Sequence, residues 1–201
     1  MLHEVSHGYV AYLCGDPTAK DAGRLSLNPA KHLDPFGSVI LPAILILMGA
    51  PVFAYAKPVP YDPRHLRHRR RDELLVALSG PASNLVQALV GAGIWQLLWR
   101  VAPDFTMDGF GWYLADFLLT YVYVNLILMF FNLIPIPPLD GSRLLFAIAP
   151  DAVRNIMIQM ERYGIIIIYV LILVCGGLFS NFISSGTSGI LHFFYWLVGG
   201  R

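Results

Sequence analysis

Charged residues and cysteines are scarce in this 201-residue sequence. Only 13% of the residues are Asp, Glu, Lys or Arg, whereas 56% are hydrophobic and the mean hydropathy is +0.60. Soluble domains carry about 25% charged residues, so the composition argues against an ordinary soluble domain. It also argues against disorder, because so apolar a chain has ample surface to bury. The two cysteines, Cys14 and Cys175, form no C-x-x-C pair and imply no disulfide framework.

Basic residues are concentrated in one segment. The net charge is only +1, yet six of the fourteen Lys and Arg residues fall within residues 57–71. This distribution is typical of a membrane protein with a basic loop, and not of a protein that binds nucleic acid through a basic face. We therefore expect the lipid bilayer, and no nucleic acid, as a partner.

Three apolar runs are long enough to cross a bilayer, which takes about 20 helical residues. They are residues 74–99, 110–131 and 163–183. Two further segments are ambiguous. Residues 38–56 are apolar but contain Pro42, Gly49 and Pro51, so they either span the membrane or enter and return. Residues 189–198 are too short to span and rich in aromatics, which predicts an interfacial helix.

The fold class that these runs predict is an all-α polytopic membrane protein with four to six membrane helices. The excess of Lys and Arg in residues 57–71 places that loop in the cytoplasm. The run at 74–99 then leads outward and the run at 110–131 returns. Everything near residue 140 is therefore expected at the cytoplasmic end of its helix.

The first helical pattern is short. It begins at Met1 and ends at Gly15, and no charged region precedes an apolar core, so it is not a signal peptide. Either the true start lies upstream or the first helix is a stub. After it, Leu25 and Leu27 alternate with polar neighbours and are followed by Asn28 and Pro29, which predicts a small β-hairpin or strand element.

His3, Glu4 and His7 form the pattern H-E-x-x-H. On a helix, positions i and i+4 share a face, so both imidazoles can reach one Zn²⁺ ion while the glutamate flanks it. A chance pattern at a helix start is the alternative. A catalytic zinc needs a third protein ligand, and neither the metzincin extension nor a close downstream glutamate follows His7.

Asp140 is the candidate for the third ligand. It ends the run Asn132-Leu-Ile-Pro-Ile-Pro-Pro-Leu-Asp140-Gly141, directly after an apolar stretch. The three prolines prevent a continued helix, and unwound backbone at membrane depth requires a protein or water-filled surrounding. A carboxylate there is costly unless it is paired, and a metal ion would offset that cost. A plain cytoplasmic turn is the alternative interpretation.

Together these motifs resemble the site-2 protease family of intramembrane zinc metalloproteases. Gly80-Pro-Ala-Ser-Asn84 is similar to that family's G-P-x-x-N motif. Stretches such as Leu27-Asn-Pro and Ala56-Lys-Pro-Val-Pro are similar to the short bacterial branch, which has no PDZ or CBS module. The match covers residues 1 to about 145. It suggests one integral-membrane domain over residues 1–201, with a C-terminal membrane helix and interfacial tail from residue 146.

The resemblance implies roles for individual residues. His3, His7 and Asp140 would bind one Zn²⁺ ion per chain, and Glu4 would activate the attacking water. Asn132 and Asn84 are candidates to bind the developing oxyanion or the substrate backbone, with a hydrogen bond between two membrane helices as the alternative for each. His32 and Asp34 could line the cavity or orient the ligands, with a polar surface loop as the alternative.

The resemblance also implies a setting and an activity. We expect a multi-pass protein of the bacterial inner membrane, with its active site towards the cytoplasm. It would cleave single-span or signal-peptide-like membrane proteins within or near their transmembrane helices, in regulated proteolysis or in clearance of membrane peptides. A homo-oligomer is compatible with the sequence. The alternatives are a catalytically silent membrane scaffold that retains the metal motif, and a metal transporter.

Overall fold

The computed structural model describes residues 1–50, 52, 54–107 and 109–197. All the regular structure in this part of the chain is helical, which confirms the all-α class for the described residues. The chain divides into two compact units, Met1–Gly80 and Pro81–Arg201. The division of roles between residues 1–145 and 146–201 stays a prediction.

The first unit begins with a chain of short helical elements and ends within a long helix. They are α1 (Leu2–Leu13), α2 (Thr18–Asp21), a 3₁₀ turn (Pro29–Lys31), a π-helical turn (Phe36–Ile40), α3 (Leu41–Leu47) and the start of α4 (Arg69–Val101). Helix α1 ends at Leu13, and Gly15, with a φ of 111°, turns the chain after it. The amides of Gly15 and Asp16 bind the carbonyls of Tyr12 and Ala11, which satisfies the end of the helix.

The predicted strand element at residues 24–28 is wrong, because no strand occurs among the described residues. The Arg24 amide donates to the Ala19 carbonyl and so belongs to the end of α2. Leu25 packs against α1, whereas Leu27 is exposed. The Asn28 side chain accepts a hydrogen bond from the Ala30 amide and caps the 3₁₀ turn. The alternation of a packed Leu25 and an exposed Leu27 therefore does not require a β-strand.

The ambiguous segment at residues 38–56 overlaps one short apolar helix, Phe36–Leu47. At 1.5 Å per residue its length is about 18 Å, well below the roughly 30 Å of a bilayer's hydrocarbon core. Gly49, with a φ of 63°, follows it and turns the chain. This helix does not cross a membrane by itself. Residues 51 and 53 of the predicted segment lie outside the described residues.

The second unit continues α4 beyond Pro81 and adds five helices within the described residues. They are α5 (Pro103–Met107), α6 (Gly109–Asn132), α7 (Ser142–Ile148), α8 (Asp151–Glu161) and α9 (Gly164–Leu197). Helix α6 packs against both α5 and α9. The buried side chains of Ala88, Val122 and Leu126 form the core, and the Tyr121 hydroxyl donates to the Gln87 side chain at 2.9 Å.

Among the described residues, α4 and α6 are long and apolar enough to cross a membrane. They contain the first two predicted runs, 74–99 and 110–131. The third run, 163–183, falls almost wholly within α9. Residues 189–197 form the end of α9 and not a separate helix, because no proline interrupts α9 before Leu197. Their interfacial position stays a prediction. Residue 198 lies outside the described residues.

Candidate metal centre

Helix α1 brings the imidazoles of His3 and His7 together. Their Nε2 atoms lie 3.0 Å apart, and the two rings meet edge to face with centroids 4.6 Å apart. The i, i+4 spacing on one helix face produces this arrangement, as the sequence predicts. Both side chains are partly buried. The first unit therefore presents a pair of ring nitrogens directed at the same point.

The orientation of His7 is set by the first turns of α4. Its Nδ1 atom lies 2.7 Å from the Val76 carbonyl oxygen, and the Ser79 hydroxyl donates to the same carbonyl at 2.6 Å. Because a carbonyl only accepts, Nδ1 is the donor in this contact, and in the neutral form of the ring Nε2 is then the acceptor. That acceptor faces His3, where a proton or a metal ion can satisfy it.

Gly80 gives the imidazole pair its space. A Cβ atom built on Gly80 would lie 2.4 Å from Nε2 of His7 and 2.6 Å from Cε1 of His3. No side chain fits there without displacing a ring. The glycine of the G-P-x-x-N motif therefore has a steric role beside the two histidines.

Glu4 is held by a backbone donor from an extended segment of the same unit. The Val59 amide donates to Oε2 of Glu4 at 3.2 Å. One helical turn along α1, Gly8 allows the same segment to approach, since a Cβ atom on Gly8 would lie 2.6 Å from Val59 Cγ1. Glu4 thus has a defined position on the helix that carries both histidines.

Asp140 lies in a tight turn of the second unit between α6 and α7. The Gly141 amide donates to the Asn132 carbonyl at 2.6 Å, which folds the proline-rich segment back on the end of α6. A Cβ atom on Gly141 would lie 2.2 Å from the Leu133 carbonyl oxygen, so only glycine fits. The Asp140 carbonyl accepts from the Arg143 amide at the start of α7, and its side chain is half-buried.

The two candidate asparagines of the second unit differ in their surroundings. Asn132 donates from Nδ2 to the Leu128 carbonyl at 2.9 Å, one turn back in α6. Asn84 is buried, with 1% exposure, and its Nδ2 group has no hydrogen-bond partner among the described residues. A buried amide without a partner is uncommon and marks a place where a ligand could bind.

His32 and Asp34 have structural partners in the first unit. The His32 ring is buried and its Nε2 atom lies 2.8 Å from the Ser26 carbonyl oxygen. Asp34 accepts a hydrogen bond from the Gly37 amide at 2.7 Å and so caps the turn that leads to α3. Their roles in lining a cavity or in orienting the metal ligands stay predictions.

The chemistry of the histidine pair fits zinc. Zn–N bonds of 2.0–2.1 Å at a tetrahedral angle place two imidazole nitrogens about 3.3 Å apart. The observed separation of 3.0 Å between the Nε2 atoms is close to that value. Ligating histidines also donate their other N–H to a carbonyl or carboxylate, as His7 does to Val76.

Sequence reasoning overlooked the residues that hold the site from outside the motifs. Val76 and Ser79 orient His7, and Val59 contacts Glu4 only through its backbone amide. None of them has a side chain that suggests chemistry. The one available indication was the position of Ser79 next to the G-P-x-x-N motif.

Comparisons with known proteins support the resemblance to site-2 proteases. A model described as "Peptidase family M50" matches residues 106–176. A Bacillus subtilis protein named "Putative zinc metalloprotease YwhC" is 42% identical over 170 residues, which are 85% of this chain and 74% of that protein. No solved structure matches.

Two mycobacterial proteins, each named "Putative zinc metalloprotease Rip2", are also similar. Those of Mycolicibacterium smegmatis and Mycobacterium tuberculosis (strain H37Rv) are 29% and 27% identical over 86% of this chain. The chain spans about three quarters of the Bacillus relative and 62% of each of these mycobacterial ones. On the strength of the identity to the Bacillus protein, the chain belongs to peptidase family M50, the site-2 protease family of metalloproteases.

Proposed function

We propose that this protein is a zinc-dependent intramembrane endopeptidase. The observation that carries the proposal is the pair of imidazole nitrogens 3.0 Å apart on α1, with Glu4 between them in the sequence. Family membership supports a metalloprotease, and two helices suited to a membrane support a membrane setting.

In this proposal His3, His7 and Asp140 hold one Zn²⁺ ion. Because Nδ1 of His7 donates to the Val76 carbonyl, Nε2 is the nitrogen that would ligate, and the turn that only Gly141 permits would present the Asp140 carboxylate. Two imidazoles and one carboxylate form a typical catalytic set, because they leave a fourth position open. Bound zinc would supply a Lewis acid that lowers the pKa of a water molecule to about 7.

Glu4 would act as the general base and later as the general acid. Its carboxylate, held through Oε2 by the Val59 amide, takes a proton from the attacking water and passes it to the leaving amine. Asn84 and Asn132 would donate to the developing oxyanion or the substrate backbone. The buried Nδ2 group of Asn84, which has no hydrogen-bond partner in the part of the chain that the structure describes, supports a role for Asn84.

The substrate would be the transmembrane helix of a single-span or signal-peptide-like membrane protein. A helical peptide bond is protected by its own hydrogen bonds, so the substrate must unwind locally before attack. We propose that α4, α6 and the first part of α9 cross the inner membrane, within a total of four to six membrane helices. The basic loop at residues 57–71 and the active site would face the cytoplasm.

Co-expression with a tagged single-span substrate tests the proposal. Wild type should yield a truncated substrate, and Glu4→Gln should abolish the truncation while the protein remains in the membrane. Glu161→Gln is a matched control, because it makes the same change at a glutamate outside the proposed site, which pairs with Arg143. The same substrate pattern for wild type and Glu4→Gln would reject the peptidase and favour a scaffold.

A further inference from the structure

The segment next to Glu4 is held through both backbone groups of one residue, Lys57. In residues 57–60, called here the 57–60 strap, the Lys57 amide donates to the His32 carbonyl at 2.9 Å. The Lys57 carbonyl accepts from Nη2 of Arg24 at 2.8 Å. Both backbone groups of Lys57 are therefore engaged before the chain reaches the residue that contacts Glu4.

The strap is stiff where it meets α1. Val59 lies between Pro58 and Pro60, whose rings restrict the backbone. The Val59 side chain is buried, with 7% exposure, and rests on Gly8. Its amide donates to Glu4. Glu4 and Gly8 are four residues apart, so one residue of the strap contacts two successive turns of the same helix face.

Arg24 is an unusual residue to find beneath this strap. It is 8% exposed, and a buried guanidinium is costly unless its donors are satisfied. Its Nη2 group binds the Lys57 carbonyl, whereas its Nε group has no hydrogen-bond partner among the described residues. The Nη2 hydrogen bond of this buried side chain goes to the Lys57 main chain, so Arg24 can fix the position of that segment.

We propose that Arg24 is a positioning residue for Glu4 and acts through the 57–60 strap. Arg24 fixes the Lys57 carbonyl, the restricted backbone of Pro58 transmits that position to Val59, and the Val59 amide holds Oε2 of Glu4 while Oε1 stays available for proton transfer. The inference rests on the proposed function of Glu4 as the general base. It adds a residue outside every motif that the sequence presents.

The kinetic test compares Arg24→Met, which keeps the length and loses the donors, with Arg24→Lys, which keeps a donor. Because misplacing a catalytic group by about 1 Å can lower the rate about 100-fold, we expect Arg24→Met to lower kcat roughly 10- to 100-fold. The KM and the zinc content should stay unchanged, and Arg24→Lys should recover part of the rate. Arg64→Met, which removes an exposed guanidinium paired with Asp62, is the control and should cleave like wild type.

A second measurement does not depend on cleavage. Only Lys57 and Val59 carry amide hydrogens in the strap, because the other two residues are prolines. Hydrogen exchange should accelerate at both amides in Arg24→Met, and at Val59 alone in Glu4→Ala. If the wild-type protein showed no peptidase activity, the proposed function would be rejected. The exchange rates would still test whether Arg24 holds the strap.

Two results would overturn the inference. One is unchanged exchange at Lys57 and Val59 in Arg24→Met, which would show that the arginine does not hold the strap. The other is a kcat that stays at the wild-type value, or that falls together with the zinc content. A joint loss of rate and zinc would show that Arg24 supports the fold as a whole and not the position of Glu4.

Discussion

The Nδ1 atom of His7 lies 2.7 Å from the carbonyl oxygen of Val76, which joins α1 to the first turns of α4. The contact selects the tautomer in which Nε2 of His7 is an acceptor. The helix that bears the G-P-x-x-N motif therefore orients one imidazole of the H-E-x-x-H motif. Changes in α4 near residue 80 should consequently affect metal binding.

The first prediction concerns the space beside the two histidines. Gly80→Ala would place a Cβ atom 2.4 Å from Nε2 of His7, so a ring must move. We expect a loss of zinc affinity of at least 10-fold together with loss of cleavage, measured by metal analysis and substrate processing. Gly93→Ala is the matched control on the same helix, because nothing lies within 4 Å of its added Cβ atom.

Gly93→Ala should keep its zinc and gain up to about 1 kcal/mol of helix stability, since alanine is the better helix former. If both variants bound zinc like wild type, the close approach of Gly80 to the imidazoles would have no functional meaning.

The second prediction concerns the turn that presents Asp140. Gly141→Ala would bring a Cβ atom within 2.2 Å of the Leu133 carbonyl oxygen, which must push the turn away from the end of α6. We expect weaker zinc binding, because the carboxylate moves with its backbone. Thermal unfolding and metal titration of the purified protein measure the effect. Gly177→Ala in α9, where the added Cβ atom meets nothing within 4 Å, should leave zinc binding unchanged and should not lower the unfolding temperature.

The third prediction concerns a buried carboxylate in the first unit. Asp16 is fully buried and accepts hydrogen bonds from the amides of Thr18 and Asp62. Burial raises the pKa of Asp16, but these bonds and those from the Thr18 hydroxyl and the His65 ring outweigh it and lower the pKa. Asp16→Asn should destabilise the protein by about 1–3 kcal/mol at pH 7, because buried donors lose their acceptor.

The stabilisation that Asp16 provides should decrease as the pH falls. A carboxyl whose pKa is lowered by folding stabilises the native state above its usual pKa of about 4, and this contribution is lost as the pH falls below that value. The gap in melting temperature between wild type and Asp16→Asn should therefore narrow from pH 7 to pH 3. Asp21→Asn, a change at an exposed neighbour, should leave the melting curve near wild type at both pH values. A gap that widened on acidification would contradict the assignment.

Periodicity and motif spacing predicted the main elements of this protein. The long apolar runs became helices because no proline-rich segment or polar stretch interrupts them, apart from Pro81 within α4. The i, i+4 spacing of His3 and His7 placed their rings together because that spacing is a property of the helix itself. Local sequence therefore carried these predictions.

The errors arose where a distant part of the chain decides the local structure. Leu25 and Leu27 alternate like strand residues, but a strand needs a partner, and among the described residues Leu25 instead packs on Gly8. The contacts from Val59 to Glu4 and from Val76 to His7 use backbone groups, which are the same for every residue type. No side-chain pattern could have revealed them.

The proposed peptidase requires Asp140 to join His3 and His7 as the third ligand of one zinc ion. The most direct measurement is the zinc-to-protein ratio of the purified wild type, of Asp140→Asn, and of Asp116→Asn as a control carboxylate in α6. The account predicts about one zinc per chain for wild type and Asp116→Asn, and loss of the metal in Asp140→Asn. A full complement of zinc in Asp140→Asn, bound with wild-type affinity, would contradict it.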